Sequence, residues 1–466
     1  MAITANEPND VEQAYGATVI TLTNSVSSQD RQILRIRKGS DDSLLADLRQ
    51  LPNSNAVTHY NVNRILQSQV SMTPSPLVLT DKKLFTAPNE CFDYYYEVGT
   101  INVAGTITID ATYSGSKVGN YLALPGRKEI NSNGTTLWPD YETYVPDAAI
   151  SYDGANYSIA FDRFQKALSD RNYSTIKYSD ITDGKPGATD FPTADEDVYR
   201  IKIAKDQDYS LQFLNRWTGG GTSFGNGINY LRLQTYTDNT LVADEYIDNV
   251  VVNGGGNDIS VGDDNIPTGS AGIIGVNCGF NSVNVTDAIT HYYVWASAAS
   301  SSAYNEDEDV RQSYAYRFDI TDAECNDYDN PIEVRWLNSV GGIDYFNFRK
   351  KNEKQIRMKR DTFVAANQSW DSATFTQYPY ERGETTFTQT TTETHTANTR
   401  YLSDAESTYL ENLYRSPNVQ VKFTGGSWIP VVLTSNTYTE RNFRKDKLFQ
   451  HTITFNLANN PISQGG

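Results

Sequence analysis

Four histidines could supply acid–base or metal chemistry: His59, His291, His395 and His451. No two of them stand at a metal-ligand spacing. His451 falls in the alternating stretch "LFQHTITFNLA", where a surface or cross-strand role accounts for it better than catalysis. Cys91, Cys278 and Cys325 are far apart, odd in number and form no CxxC pair. Neither a disulfide framework nor a thiolate metal site is expected from them. The sequence contains no GxSxG elbow, HExxH helix, P-loop or complete GxGxxG fingerprint. "GGGTSFGNG" is glycine-rich but lacks the lysine and the helix start of a phosphate cradle.

Carboxylates are abundant, at 57 Asp and Glu. A glycosidase needs two of them held about 5–9 Å apart across a sugar cleft, and no pattern singles out such a pair. The run Glu306, Asp307, Glu308, Asp309 reads as a solvated loop, because like charges repel and stay exposed. Asp322, Asp327 and Asp329 in "DAECNDYDN" offer oxygen ligands but lack the glycine and terminal glutamate of an EF-hand loop. The sequons at Asn133 and Asn284 carry meaning only in a secreted protein. The expectation is therefore a protein with no catalytic, cofactor-binding or metal-binding residues.

The elements that carry these residues read as strands and turns. The chain has 466 residues, with 31 Tyr, 18 Phe, 6 Trp and only 3 Met. Aromatic and β-branched residues suit a pleated, half-buried surface. "ATVITLT", "RQILRIRK", "CFDYYYEVGTINVAGTITIDATY", "YRIKIAKD", "NYLRLQTYTDNTLVADEYI", "HYYVWASAAS" and "SYAYRFDIT" are strand candidates. Asp42–Leu51 carries leucines at helical spacing, but a hairpin entering a strand is the favoured reading. "YNVNRILQSQV" predicts a short helix with Asn61 as N-cap and Ile65, Leu66 and Val70 facing the core. "FDRFQKALSD" is a second helical candidate.

One helix is well signalled, in "RYLSDAESTYLENLYRSP". Ser403 and Glu406 make a capping box, and Pro417 stops propagation. Leu410, Leu413 and Tyr414 form its apolar face, with Tyr409 at the edge. About three turns are not stable alone, so this helix over about 403–415 is expected to cover a sheet face or edge. The fold class is mainly β, with several β-sandwich or β-barrel-like modules and a few short helices. Composition shifts suggest an N-terminal β-domain over 1–113, a turn-rich middle domain over 114–310 and a C-terminal β-domain over 311–466.

The net charge is −18, which serves solubility and steering and argues against nucleic acid as a partner. A short basic stretch, "RKKNEKQIRMKR" at Arg349–Arg360, reads as the solvated face of a hairpin. No stretch approaches the ~20 apolar residues of a membrane span. The start "MAITANEPNDVEQ" lacks the pattern of a secretory signal, so synthesis and folding in a reducing cytoplasm are expected. "LNRWTGG" at Leu214–Gly220 and "LNSVGG" at Leu337–Gly342 echo each other, as a duplicated β-module would, but the match is short and glycine-rich turns are the commoner source of such an echo.

The last ~140 residues bear a resemblance. "IEVRWLNSVGGIDYFNF", "YLSDAESTYLENLYRSPNVQV" and "WIPVVLTSNTYTERNFRKDKLFQHTITFNLANN" resemble the C-terminal half of structural proteins of tailed bacteriophages, especially phages and prophages of Bacteroidetes hosts. The resembling elements fall on Trp336–Gly342, Tyr345–Phe348, Ser403–Arg415, Ser416–Pro417, Pro430–Val432 and Lys447–Asn459. "LRIRKGSDDSLLADLRQLPNS" and "YNVNRILQSQV" match the group more loosely, and residues 114–310 show no likeness.

The resemblance implies a virion component rather than an enzyme: a distal tail or baseplate protein, assembled in the host cytoplasm into a homo-oligomeric ring with other tail or neck proteins. A neck or head–tail adaptor ring is the first alternative. A receptor-binding fibre or spike is the second; its host surface contact would use Trp138, Tyr152 and Tyr157 as sugar platforms. Under the ring reading, contacts are expected in the loops Gly219–Gly227 and Gly254–Gly272 and in a polar N-terminal arm, residues 1–16, that orders against a neighbour.

Overall fold

The computed structural model of the chain describes residues 3–6, 11–24, 30–39, 41–70, 77–78, 84–87, 92–110, 121–124, 126, 129–130, 136–138, 150–152, 155–157, 199–205, 207–214, 230–238, 240–248, 250–252, 258–260, 273–279, 288–297, 316–321, 331–338, 343–364, 373, 383–402, 404–435 and 450–459. The fold is mainly β, with two helices among the described residues. The chain divides into two units. The first is Met1–Ala323 with Trp336–Tyr345 and Thr408–Pro417; the second is Glu324–Arg335, Phe346–Ser407 and Asn418–Gly466.

The first unit begins with two sheets around one core. Ile3–Asn6, Val19–Asn24 and Val57–Asn61 form a three-stranded antiparallel sheet. The other runs in the order Val11–Gln13, Tyr121–Leu124, Phe92–Ile101, Arg31–Lys38, Leu44–Gln50, with Ile107–Ile109 added beside Phe92–Ile101. Alternation decides what each strand buries. Ile20 and Leu22 face inward from one sheet, and Leu34, Ile36, Tyr94 and Tyr96 from the other. Tyr121 closes on Tyr94 and Tyr96, with ring centroids 5.7 and 5.6 Å away.

Leu44–Gln50 is a strand, not a helix, because its register against Arg31–Lys38 completes the sheet. The short helix, α1 (Asn63–Gln69), carries Leu66 into this core, with Val70 beyond its end and Ile65 at the margin. Its N-cap is Val62, which makes no side-chain cap bond, rather than Asn61. Asn61 lies one residue earlier, yet its Oδ1 still accepts from the Asn63 N–H at 3.2 Å.

The N-terminal residues correct a second expectation. Ile3–Asn6 and Val11–Gln13 are strands of the chain's own sheets, and Ile3 and Ala14 are buried. Residues that alternate with a core face contribute to that core, so this segment is not an arm left for a neighbour.

Further along the first unit, Tyr199–Ala204, Tyr316–Thr321, His291–Ser297, Tyr230–Thr237 and Thr240–Asp248 form a five-stranded sheet in that order. Tyr199–Ala204 and Tyr316–Thr321 run parallel. Ser210–Leu214, Ile273–Asn277, Leu84–Ala87 and Leu77–Val78 form a four-stranded sheet. Tyr292 stacks on Phe318 at 4.8 Å and donates its hydroxyl to the Cys278 carbonyl at 2.6 Å. The next residue must be glycine: a Cβ at Gly279 would sit 2.5 Å from the Gln207 carbonyl oxygen.

The C-terminal sheet has seven strands, ordered Ile343–Phe348, Ile332–Leu337, Val419–Phe423, Ile429–Leu433, Thr452–Leu457, Glu384–Asn398, Asn352–Val364. The well-signalled helix, α2, spans Asp404–Arg415. Ser403 and the side chain of Glu406 lie outside the described residues, as does the helical candidate "FDRFQKALSD". The buried face of α2 is Tyr409, Leu410 and Leu413, with Tyr414 only half-buried. Tyr409, expected at the edge of that face, is instead at its centre.

Candidate assembly surface

Each histidine has a structural occupation. His59 Nδ1 lies 3.0 Å from Thr21 Oγ1 across a strand pair. His291 stacks on Tyr236 at 5.1 Å. His395 stacks on Phe455 at 5.3 Å, and its Nε2 meets Glu393 Oε1 at 2.7 Å. His451 differs from its expected surface or cross-strand role. It stands just before the strand Thr452–Leu457, and its Nε2 is 2.7 Å from Ser407 Oγ on α2. Its backbone N–H donates to Thr399 Oγ1 at 2.9 Å, so the contact pins the start of α2 to its own unit.

Burial pushes the Cys278 thiol far above its ordinary pKa, which suits a small apolar core residue and not a nucleophile. Among the described residues, no group of three His, Cys, Asp or Glu side chains is placed to hold a metal ion. The acidic run 306–309, the aspartates 322, 327 and 329, Cys91, Cys325, both sequons and the loop 219–227 lie outside the described residues. So do the side chains of Trp138, Tyr152 and Tyr157, and both glycine pairs of the Leu-Asn echo. Of the loop 254–272, the strand Asp258–Ser260 is described, paired with Val250–Val252.

What the geometry offers instead is strand edges, and the chain treats them differently. Ile343–Phe348 ends the C-terminal sheet, and α2 covers it. The Tyr409 hydroxyl accepts from the Tyr345 N–H at 3.2 Å and donates to the Tyr345 carbonyl at 3.1 Å. Its ring packs edge-on against buried Trp336 at 5.2 Å. The two groups that an edge residue would show to another strand are thus consumed. Ser210 Oγ meets Tyr345 Oη at 2.7 Å, which fixes the same residue again.

Val419–Phe423 carries a buried cation nearby. Arg335 is 8% exposed, and its Nε and Nη2 both donate to Gln420 Oε1, at 2.8 and 2.6 Å. The guanidinium carbon lies 4.5 Å from the centre of the Trp428 ring. One amide oxygen and one ring face replace the water that the charge has lost.

The opposite edge of this sheet is left open among the described residues. Asn352–Val364 pairs with Glu384–Asn398 through thirteen residues. The next strand, Thr452–Leu457, reaches only Thr394–Asn398. Beyond Thr394 the ribbon has two strands, and every residue from Glu353 to Val364 is exposed. The solvated hairpin expected for the basic stretch is present. Sequence reasoning missed its apolar content: Ile356, Met358, Phe363 and Phe387 are 48–62% exposed. The signal was there in "NEKQIRMKRDTFV", which mixes charge and apolar residues without a period of two. Near the base, Glu393 is held below its ordinary pKa, first by Lys354 Nζ at 2.6 Å and then by His395.

Comparison with known proteins adds little. No protein-family model matches the chain, and no curated protein matches it. Among solved structures, a marsupial T cell receptor aligns over 86% of this chain and 97% of its own, at 9% identity and a TM-score of 0.17. A likeness that loose carries no argument about function. Among the described residues, no helix is long and apolar enough to cross a membrane.

Proposed function

We propose that this chain is a structural protein of a tailed-phage virion, acting in the tail tip or baseplate by assembling into a cyclic homo-oligomer. The observation that supports it is that the main resembling segments fold as strands and one helix. "IEVRWLNSVGGIDYFNF", the capped helix, the Pro-Val strand and the closing strand supply Ile332–Leu337, Ile343–Phe348, α2, Ile429–Leu433 and Thr452–Leu457. Among the described residues, a sheet covered by α2 at one edge and open at the other is suited to directional contact.

Heterologous contacts of this kind close into rings when the rotation between copies permits. The reading places the protein in the virion after assembly in the host cytoplasm, with other tail proteins as neighbours. Mass measurement of the purified chain, joined to peptide mapping and imaging of phage particles, tests it. The expected result is a closed ring and a density for the chain at the tail tip. A density at the neck would move the ring to the head–tail junction. A chain absent from particles would overturn the reading.

A further inference from the structure

The outer ribbon strand, Asn352–Val364, ends its sheet among the described residues, and it is exposed from Glu353 onward. It contains neither proline nor glycine. The one irregularity of the ribbon lies on the inner strand: Asp361 pairs with Thr388 and Thr362 with Thr386, so Phe387 is skipped. The outer strand is therefore regular. Its outward N–H and carbonyl groups are the template that an edge offers to another strand.

Alternation sorts its side chains onto two faces. Ile356 and Met358, 49% and 50% exposed, lie on the face where Lys354 stands opposite His395. Arg357 and Lys359 lie on the other face, opposite Thr392 and Thr390. Among the described residues, neither of these two cations forms an ion pair or a side-chain hydrogen bond. Arg360 is different, since its Nε already donates to Gln389 Oε1 at 3.3 Å. Edge cations alone discourage pairing. Here unpaired cations on one face are combined with half-exposed apolar groups on the other, and the two sets alternate.

We infer that Ile356–Arg360 is a docking edge for an extended segment of another protein in which acidic and apolar residues alternate, added to the sheet as one more strand. Directly opposed residues of paired strands share a face. Acidic residues opposite Arg357 and Lys359, with apolar ones opposite Ile356 and Met358, therefore complement both faces at once. Backbone bonds supply the attraction, and the side chains fix the register. Asp361 follows on the cationic face and confines the acidic positions to those two. This deepens the assembly reading, on which it rests for the presence of a partner.

A second copy of this strand is a poor occupant. It would bring Arg357, Lys359 and Arg360 with only Asp361 to oppose them, and like charges facing each other destabilise a strand pair. A nucleic acid would use the two cations but neither the apolar face nor the backbone edge.

The test uses the full-length protein and blocked, labelled peptides, read by fluorescence anisotropy. The probe alternates valine with two glutamates between threonine flanks. One control places the glutamates side by side; the other replaces them with lysines. The alternating glutamate peptide is expected to bind at least about tenfold more tightly than either control. R357E/K359E changes only exposed, unpaired side chains. It is expected to reverse the preference and take the lysine peptide, which a folding defect would not do. Methylating the backbone nitrogens of the probe is expected to abolish binding, because strand addition needs those donors. Wild type that binds none of the peptides overturns the inference. So does equal binding of the two glutamate peptides, or binding that survives methylation, because charge alone would then suffice. Self-association lost in R357E/K359E, without peptide binding, overturns it in favour of a second copy. A DNA or RNA gel shift lost in the same variant, without peptide binding, overturns it in favour of a polyanion. These results leave the ring reading standing, which fails separately if the chain is absent from particles.

Discussion

Tyr409→Phe removes one oxygen atom and is expected to release the covered sheet edge. The hydroxyl is the shared partner of the Tyr345 N–H and carbonyl, at 3.2 and 3.1 Å. Tyr409 is 1% exposed and Tyr345 is 7% exposed, so water does not readily replace it. Two hydrogen bonds at about 1 kcal/mol net each set the lower bound, and stranding a buried N–H and carbonyl adds about 1–2 more. The expected loss is about 2–4 kcal/mol. For a large domain, where each kcal/mol moves the midpoint by roughly 2 °C, that is a fall of about 4–8 °C.

The assay is calorimetry or urea unfolding of wild type, Y409F and Y409L. Y409L also loses the ring contact with Trp336 at 5.2 Å, so it should fall further by about 1 kcal/mol. Y409F should in addition aggregate sooner on warming, because an edge strand has regained a donor and an acceptor. If Y409F stays within about 0.5 kcal/mol of wild type while Y409L is badly destabilised, the helix holds by its ring alone. The account of the covered edge would then be wrong.

Other expected outcomes follow from the same geometry. Arg335→Lys keeps the charge but not the fork on Gln420; a loss of about 1–3 kcal/mol in urea unfolding is expected. Gly279→Ala would push a Cβ to 2.5 Å from the Gln207 carbonyl and 2.8 Å from the Tyr209 nitrogen, so the backbone must move, at about 1–3 kcal/mol, read in the same assay. Glu393 has a folded-state pKa below its ordinary 4.5, caused first by Lys354 and then by His395. Its contribution to stability is therefore complete above about pH 4.5 and is lost as pH falls through the lower folded value. Hydrogen exchange at the base of the ribbon should show wild type converging on Glu393→Gln as the solution is acidified; parallel profiles would refute the linkage.

Much of the fold was legible because period-2 patterning is local. "RQILRIRK" alternates, and its Leu34 and Ile36 do enter the core. Asp42–Leu51 shows how tertiary context arbitrates: leucine spacing allowed a helix, and pairing with Arg31–Lys38 made it a strand. The N-terminus misled because polar composition reads as an arm, whereas a few alternating residues such as Ile3 suffice to recruit it into a sheet. The α2 face was misassigned for a chemical reason. Tyr was treated as an edge residue for its hydroxyl, but a buried Tyr is stable at the centre once backbone groups meet that hydroxyl. Sequence spacing does not reveal where those backbone groups will be. Strand edges are harder still, since an edge is defined by the absence of a neighbour distant in sequence.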